Sequence, residues 1–396
     1  MKKKLLVAAV AGALAVPGIA LAAGSSVTIH GYIKEGLEFD SIGSAASTRA
    51  NTSQTSIVDN SSRIIFSMTE DLGGGLSAIG QLDTRFAPNH SSGGVASGNT
   101  WVGLESDAWG RFTIGNRDVH YFHTADTIPG GATALDAWSV GILGFVPYGS
   151  AAAPTAQVAI ANDTRTKNVI EYASPKWGMF SFGLAYSTDP YGTTGSMPSF
   201  AAGSCAAAGA TCTNNKAYGW NFAPELIGGN WRAGYSYWRS QAPAALVTAP
   251  DQKSNRLWGY YNFAQGFRVG LTWDSSEADG HGTPDVKRNA WSIPVAYSWG
   301  PNSVGLTYTR ANDVSISGTG SAGIPTSGTG AKLTAVYYQY ALSKQTQMGV
   351  TYADMKNDSN ASYNLFTAAP LGTSTMGVVA PGENPKALQF TLMHSF

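Results

Sequence analysis

Charge is the scarcest property of this chain. Asp, Glu, Lys and Arg make up only 13% of its 396 residues, whereas ordinary soluble domains carry about 25%. Beyond the N-terminal residues, no stretch reaches the roughly 20 apolar residues that a membrane-spanning helix needs. No G-x-S-x-G motif occurs, and the six histidines are scattered apart from His120 and His123. Those two histidines lack a paired carboxylate motif, so we expect no metal site and no cofactor. Because no catalytic group of residues is evident, we expect that the protein is not an enzyme.

A surplus of basic residues is absent as well, since 25 basic residues are balanced by 25 acidic ones. The first four residues form a basic segment, residues 5–19 are apolar, and Ala20-Leu21-Ala22 matches an A-x-A cleavage site. This order is typical of a secretory signal peptide, which we predict over residues 1–22, leaving one domain over residues 23–396. The signal peptide holds three lysines, so the mature chain has a net charge of −3. That charge argues against a nucleic-acid-binding protein.

Aromatic residues and glycine are abundant instead, with Phe, Trp and Tyr at 11% and 47 glycines in the chain. This composition is typical of a transmembrane barrel with an apolar outer band between aromatic girdles. Residues 386–396 alternate strictly between apolar residues such as Phe390 and smaller or polar ones such as Gln389. A strand of about 9 to 11 residues crosses a bilayer, and an open sheet edge cannot persist in lipid. We therefore predict that this last strand closes a barrel by pairing with the first.

Alternating segments of this kind recur along the mature chain, and we count sixteen of them. Short turns, such as residues 71–75, alternate with long connections rich in Gly, Ser, Thr and Ala. Outer-membrane barrels show this pattern, with short periplasmic turns and longer external loops. The predicted fold is all-β, a sixteen-stranded transmembrane antiparallel β-barrel. Pro294 lies inside a predicted strand, and its missing N–H predicts a bulge or weakened pairing there.

The segments resemble those of the Gram-negative general porins, in the same order and over the full mature length. The similar stretches are SSVTIHGYI, SSRIIFSMTEDLGGGLSAIGQLD, NTWVGLESDAWGRFTIGNRD, RTKNVIEYASPKWGMFSFGLAY, YALSKQTQMGVTY and FTLMHSF. The resemblance implies a trimeric diffusion channel in the outer membrane of a Gram-negative bacterium. Two departures bear on the charge lining of the pore. Gln345 stands where the family has arginine, and Asn116 separates Gly115 from Arg117 where the family has Gly-Arg.

The longest interruption of the alternation covers residues 118–164. By the resemblance, this is the third external loop, which folds into the lumen and narrows the pore. Its apolar run over residues 142–147 favours burial against a wall, because a patch of this kind is a liability in water. A simple external flap is the alternative. Among the few acids of the loop, we predict that Asp126 and Asp136 face the pore.

Six basic residues are candidates for the wall that faces this loop. Alternation places them opposite apolar neighbours, and an arginine facing lipid near the bilayer midplane costs about 2 to 4 kcal/mol. The predicted set is Arg63, Arg85, Arg111, Arg117, Arg165 and Lys167. A headgroup-level position is the alternative for those near strand ends, above all Arg111 and Lys167. With acids across the pore, this set predicts a transverse field and a modest preference for anions.

Cys205 and Cys212 lie close together in a loop of small residues. In an oxidising envelope they predict a disulfide that closes this loop, and no histidine beside them suggests a metal site.

The predicted function is passive diffusion of small hydrophilic solutes and ions across the outer membrane. The alternatives are a solute-specific channel, or a surface adhesin or scaffold barrel whose lumen is plugged by the apolar loop. The expected partners are outer-membrane lipid, further copies of the chain in a homotrimer, and the barrel-assembly machinery, which reads the C-terminal strand.

Overall fold

The computed structural model describes residues 24–43, 52–126, 131–147, 157–162, 165–190, 217–242, 250–280, 284–366 and 379–396. The strands of the first half are β1 (Ser25–Gly43), β2 (Thr52–Asp59), β3 (Arg63–Gly73), β4 (Leu76–Ala87), β5 (Ser92–Gly94), β6 (Thr100–Ser106), β7 (Gly110–Arg117), β8 (Phe145–Pro147), β9 (Gln157–Ala159), β10 (Thr166–Ala173) and β11 (Phe180–Ser187). Those of the second half are β12 (Tyr218–Ile227), β13 (Trp231–Gln241), β14 (Asp251–Asn262), β15 (Phe267–Asp279), β16 (Asp285–Trp299), β17 (Asn302–Ala311), β18 (Ser315–Ser317), β19 (Ala331–Ala341), β20 (Thr346–Asn357) and β21 (Asn384–Ser395).

Helical structure in these residues is confined to single turns. They are α1 (Val140–Leu143) and the 3-10 turns Pro88–His90, His120–Phe122, Leu135–Ala137 and Ile160–Asn162. No helix in the described ranges is long and apolar enough to cross a membrane.

The strands form a closed antiparallel barrel of sixteen, which confirms the predicted fold. β21 pairs with β1 from Tyr32↔Ser395 to Gly43↔Asn384. The N–H groups of Gly31 and Phe396 each donate to the other residue's carbonyl oxygen at 3.1 Å, so pairing continues to the last residue. β2 and β3 together make one strand of the circuit, because both pair with β1. The short strands β5 and β18 add to the rim, and β8 and β9 form a separate hairpin.

The break between β2 and β3 has a local cause. Asp59 accepts hydrogen bonds from the N–H groups of Ser61 and Ser62, both at 2.9 Å, while Ser61 adopts a left-handed conformation with φ of 73°. Side chains of Asp that bond to the backbone two or three residues ahead favour such turns over a strand ladder. The break leaves the hydroxyl of Ser61 directed at the basic side chains described below.

The two faces of the barrel differ as the alternation predicts. The outer face carries exposed apolar side chains such as Leu37, Leu271 and Phe390, while inner charged residues such as Lys34 and Asp40 are buried. Aromatic side chains form contacting groups beside the short turns, as a membrane-interface girdle requires. They include Trp177, Phe180, Phe182, Phe222, Tyr261, Phe263, Phe267, Tyr297 and Trp299.

Pro294 interrupts the ladder without a bulge. The register between β15 and β16 is the same at Val269↔Val295 and at Thr272↔Ser292, with the pairs between them missing. The missing proline N–H therefore weakens the pairing, which was one of the two predicted outcomes. The proline ring also lies close to the loop described next, since a side chain at Gly270 would meet both Pro294 and Ala125.

Candidate pore constriction

The described parts of residues 118–162 lie against the inner face of the barrel. The apolar side chains of Ile142, Leu143 and Val146 are fully buried. Ile142 and Leu143 belong to a cluster with inward-facing residues of β16, β17, β19, β20 and β21. These wall residues are mostly small and apolar: Ala290, Ala311, Leu333, Ala335, Ala353, Met355 and Ala387. The loop thus covers this side of the inner wall and also clusters with Val169 of β10 and Ala185 of β11, and the part of the wall around β3 and β4 is left facing it.

A buried ion cluster holds the loop on this wall. Asp274 accepts hydrogen bonds from Arg256 Nε at 2.8 Å and Arg288 Nη1 at 2.7 Å, and all three side chains are at most 1% exposed. Both arginines also donate to backbone carbonyl groups of the loop. The acceptors are the carbonyl oxygens of His120, Tyr121, Leu143 and Phe145. These two arginines therefore fix the path of the loop through its backbone.

His120 takes part in the same anchorage. Its Nδ1 lies 2.8 Å from Ser236 Oγ and its Nε2 lies 2.8 Å from Ser254 Oγ. Burial and the charge of Arg256 lower the pKa of His120 well below 6.5, so the ring is neutral at physiological pH. His123 points elsewhere, with Nδ1 3.6 Å from Glu225 Oε1. Both rings have neighbours other than a metal, and within the described ranges no cluster of three or more His, Cys, Asp or Glu is suited to hold one.

Close backbone approach sets a second constraint on the loop. A Cβ atom at Gly349 of β20 would lie 1.9 Å from the carbonyl oxygen of Ala132. The neighbouring Lys34 of β1 donates from Nζ to the carbonyl oxygens of Gly131 and Thr133, both at 3.2 Å. Only glycine leaves room for the loop backbone at this strand, because any side chain would overlap it.

A cavity of about 200 Å³ remains between the loop and the uncovered wall. From the strand side it is lined by Tyr32 and Lys34 of β1, Ser61, Arg63 of β3 and Arg85 of β4. Arg165, just before β10, completes the basic lining. The loop contributes Asp118, Tyr121, Phe122, Leu135 and Trp138. One side of this space is therefore cationic, and most of the other side is apolar.

The arginines on the strand side are held in place by short contacts. Arg85 Nη1 donates to Ser61 Oγ at 2.7 Å, and Arg63 Nη2 donates to the same hydroxyl at 2.8 Å. Arg85 Nη2 lies 3.3 Å from Asp83 Oδ2, whereas Arg63 Nη1 is 4.0 Å from that oxygen. The guanidinium of Arg63 also lies 4.9 Å from the ring centre of Tyr32. Two like charges share one hydroxyl and one carboxylate, so the group keeps a positive surplus.

The acids of the loop do not face this group in the predicted way. Asp126 accepts a hydrogen bond from Ser139 Oγ at 2.8 Å within the loop, and Asp136 is buried beside Glu38 and Asp40 of β1. Burial raises the pKa of Asp126 and that of Asp136. Neither residue lines the cavity, where the loop acid is Asp118. Asp118 was not among the predicted pore residues.

Comparison with known proteins matches residues 7–360 to the family model described as Gram-negative porin. The chain belongs to the Gram-negative porins. It is 30% identical over 205 residues to an outer membrane porin protein of Bordetella pertussis, covering 47% of this chain and 48% of that one. It is 31% identical over 134 residues to the major outer membrane protein P.IB of Neisseria meningitidis, covering 33% and 38%. This chain thus matches less than half the length of either relative.

Solved porin structures share the fold. The anion-selective porin from Comamonas acidovorans superposes with a TM-score of 0.69 at 21% identity, covering 94% of this chain and 100% of that one. OmpT of Vibrio cholerae gives a TM-score of 0.62 at 11% identity, covering 95% and 100%. Porins are channel proteins rather than enzymes, which agrees with the expectation drawn from the missing catalytic motifs.

The remaining basic candidates of this porin lie outside the cavity. Arg117 forms an ion pair with Glu171, and its guanidinium carbon lies 4.9 Å from the ring centre of Trp101. That of Arg111 is 5.8 Å from the same ring. These two residues therefore form a separate basic group on β7, and the charge of Arg117 is compensated.

Lys167 departs from the alternation that placed it beside Glu171. The register between β10 and β7 shifts by one residue between Thr166↔Arg117 and Val169↔Gly115, and Asn168 has a φ of 52°. A bulge of this kind inserts one residue and reverses the facing of the strand residues before it, here Thr166 and Lys167. Lys167 is exposed and Thr166 is buried in its place. Cys205, Cys212 and the predicted signal peptide lie outside the described residues.

Proposed function

We propose that this porin is a passive diffusion channel of the outer membrane that passes small hydrophilic solutes and ions with a preference for anions. The observation that carries the proposal is the cavity lining, in which Lys34, Arg63, Arg85 and Arg165 face a loop wall with Asp118 as its acid. Steric exclusion sets the size limit at this point, and local charge sets the ion preference. The charge of the whole mature chain is slightly negative, but charges beyond about 8 to 10 Å are screened at physiological salt.

The similarity in fold to a structure named as an anion-selective porin supports this proposal. The predicted opposing carboxylates Asp126 and Asp136 are not required for it, since they contact other parts of the protein. Because these two carboxylates lie outside the cavity, the positive surplus of the cavity lining is larger than in the predicted arrangement.

Residues 1–22 are proposed as a cleaved signal peptide, and the mature barrel as a homotrimer that the barrel-assembly machinery inserts through β21. One feature of the outer face supports association between copies. Glu35 lies among the apolar residues Leu37, Met348 and Leu392, and its two carboxylate oxygens are buried without a hydrogen-bond partner in the part of the chain that is described. Buried carboxylate oxygens without a partner are costly in a single chain, and the apolar side chains around them offer a surface for a neighbouring subunit.

The test is the reversal potential of purified protein in a planar bilayer under a salt gradient. We expect an anion-selective potential that shifts toward cations in the double variant Arg63→Gln, Arg165→Gln, with the permeability ratio falling by a factor of about two or more. Arg310→Gln is the matched control, because Arg310 is exposed on the same outward face of β17 as Leu306. Cation selectivity of the wild type would contradict the proposal.

The same recording separates the alternatives. A folded barrel with no conductance steps would identify a plugged scaffold or adhesin. Saturable flux with block by one solute would identify a solute-specific channel. Free flux of unrelated small solutes supports a general diffusion channel.

A further inference from the structure

The loop wall of the constriction is aromatic where a carboxylate wall was predicted. Tyr121, Phe122 and Trp138 face the cavity into which Arg63, Arg85 and Arg165 also project. Phe122 is 52% exposed although it belongs to the loop inside the barrel. An exposed phenyl ring in an aqueous passage is unfavourable unless it meets a ligand, because apolar area in contact with water costs free energy.

The aromatic side chains are held rigidly by one another. The ring centres of Tyr121 and Phe122 lie 5.2 Å apart in an edge-to-face arrangement. Trp138 stacks on Phe366 with centres 6.1 Å apart, and Tyr121 lies 5.9 Å from Phe366. Arg256 and its partners fix the backbone on which Tyr121 stands. The apolar wall is therefore preformed, as ligand sites usually are.

Two donors at the cavity have hydrogen-bonding capacity to spare. In the described ranges the indole Nε1 of Trp138 and the Nε of Arg85 have no hydrogen-bond partner. Arg63 Nη1 is 4.0 Å from its nearest carboxylate oxygen, which is beyond hydrogen-bond reach. Because the two unpartnered nitrogens are buried, an anion that enters this space meets the lining guanidinium groups of Arg63 and Arg85, and a flat apolar body attached to that anion meets the rings across from them.

We infer that this constriction binds amphipathic organic anions, and in particular monocarboxylates with an aromatic body, more strongly than small inorganic or aliphatic anions. The carboxylate lies at Arg63 and Arg85, and the aromatic body packs against Phe122 and Tyr121. Asp118, which accepts a hydrogen bond from Asn99 Nδ2 at 2.6 Å, lies among the arginines and offsets only part of their positive charge. This inference rests on the proposed anion channel and adds a substrate class to it.

The test compares four probes for their block of chloride current through the full mature protein in a planar bilayer. Benzoate carries both features, acetate only the charge, benzyl alcohol only the ring, and benzylammonium the ring with the opposite charge. We expect benzoate to block saturably at a concentration about tenfold or more below that of acetate, which corresponds to about 1.4 kcal/mol. The other two probes should block no better than acetate. Equal potency of benzoate and acetate, or block by benzyl alcohol at the concentration of benzoate, would overturn the inference.

Variants locate the effect. Phe122→Ala should raise the half-blocking concentration of benzoate about tenfold toward that of acetate. Phe263→Ala, which removes a 47% exposed phenyl ring at a short turn outside the lumen, should leave it unchanged. An equal effect of both variants would contradict the assignment. The chloride reversal potential separates the two proposals, since anion selectivity without discrimination between benzoate and acetate removes only the aromatic site.

Discussion

The substitution Arg288→Met tests whether the loop is held by its backbone contacts. Met has a comparable length and no hydrogen-bond donor, so the change removes the bonds from Arg288 to Asp274 and to the carbonyl oxygens of Leu143 and Phe145. Asp274 keeps Arg256 and Ser276 as partners, and Leu143 keeps its bond from Arg256. The barrel strands lose no ladder hydrogen bond. The change therefore acts on loop docking rather than on the barrel.

The expected magnitude follows from burial. Arg288 is fully buried, and a hydrogen bond from a charged donor is worth about 1.5 to 3 kcal/mol, so losing the bonds to the two carbonyl oxygens of Leu143 and Phe145 costs about 3 to 6 kcal/mol. Because these bonds join the loop to the wall, the equilibrium between undocked and docked loop shifts by a factor of about 10² to 10⁴. A loop that was almost always docked would then leave the wall often enough to alter the open channel.

Single-channel recording and limited proteolysis read out this shift. We expect larger open-channel noise, a higher mean conductance and faster cleavage between residues 118 and 164, with the barrel still folded. Lys287→Met, which removes a charge from the adjacent, more exposed residue of β16, is the control. If Arg288→Met matches the control in noise, conductance and protease resistance, the anchoring role assigned to this cluster is wrong.

Three further predictions follow from other contacts. Gly349→Ala places a methyl group 1.9 Å from the carbonyl oxygen of Ala132, so the loop must move by about 1.5 Å and conductance should change; Gly183→Ala, where the nearest atom is 4.0 Å away, should leave it unchanged, and equal behaviour of both variants would refute the close approach. Burial raises the pKa of Asp118 to about 6, against the opposing effect of Arg165, Arg85 and Arg63. Acidification from pH 7 to pH 5 therefore neutralises this acid and should raise the anion-to-cation permeability ratio. The variant Asp118→Asn should show the higher ratio already at pH 7, and an undiminished pH response in this variant would contradict the assignment. Deleting Phe396 removes both hydrogen bonds to Gly31 and should lower the yield of folded barrel on gels far more than an insertion beside Gly318, a result that equal yields would exclude.

The strands and the facing of most residues were predictable because a strand has a fixed period of two. The same alternation that placed Arg63 and Arg85 inward applies to Arg256, Asp274 and Arg288. The residues next to them in the sequence, such as Leu257 and Trp273, point outward to the lipid. These three residues could have been found by that rule. The pairing of Arg256 with Asp274 follows from the register, in which the two stand opposite each other, whereas Arg288 stands opposite Ser276 and reaches Asp274 diagonally.

The position of the loop was not predictable in the same way. Its contacts join residues more than a hundred positions apart, as from Arg288 to Leu143, and no local period encodes them. The acids Asp126 and Asp136 were assigned to the pore from their place in the loop alone, and turns of the backbone carried them to other partners. Lys167 shows where alternation fails as a guide to side-chain facing, because the bulge at Asn168 reverses the face to which Lys167 points.

Anchorage through carbonyl oxygens separates the width of the constriction from its chemistry, two properties that substitutions usually change together. The arginines of the wall bind peptide groups, which every loop sequence possesses, and the buried side chains of His120, Ile142 and Leu143 add to the anchorage, so the position of the loop depends little on its exposed side chains. A substitution at an exposed position such as Phe122 can then alter the chemistry of the passage while its width stays the same. In a population exposed to changing nutrients or toxic anions, the solute range of this porin can evolve through single loop substitutions, with no compensating change in the barrel.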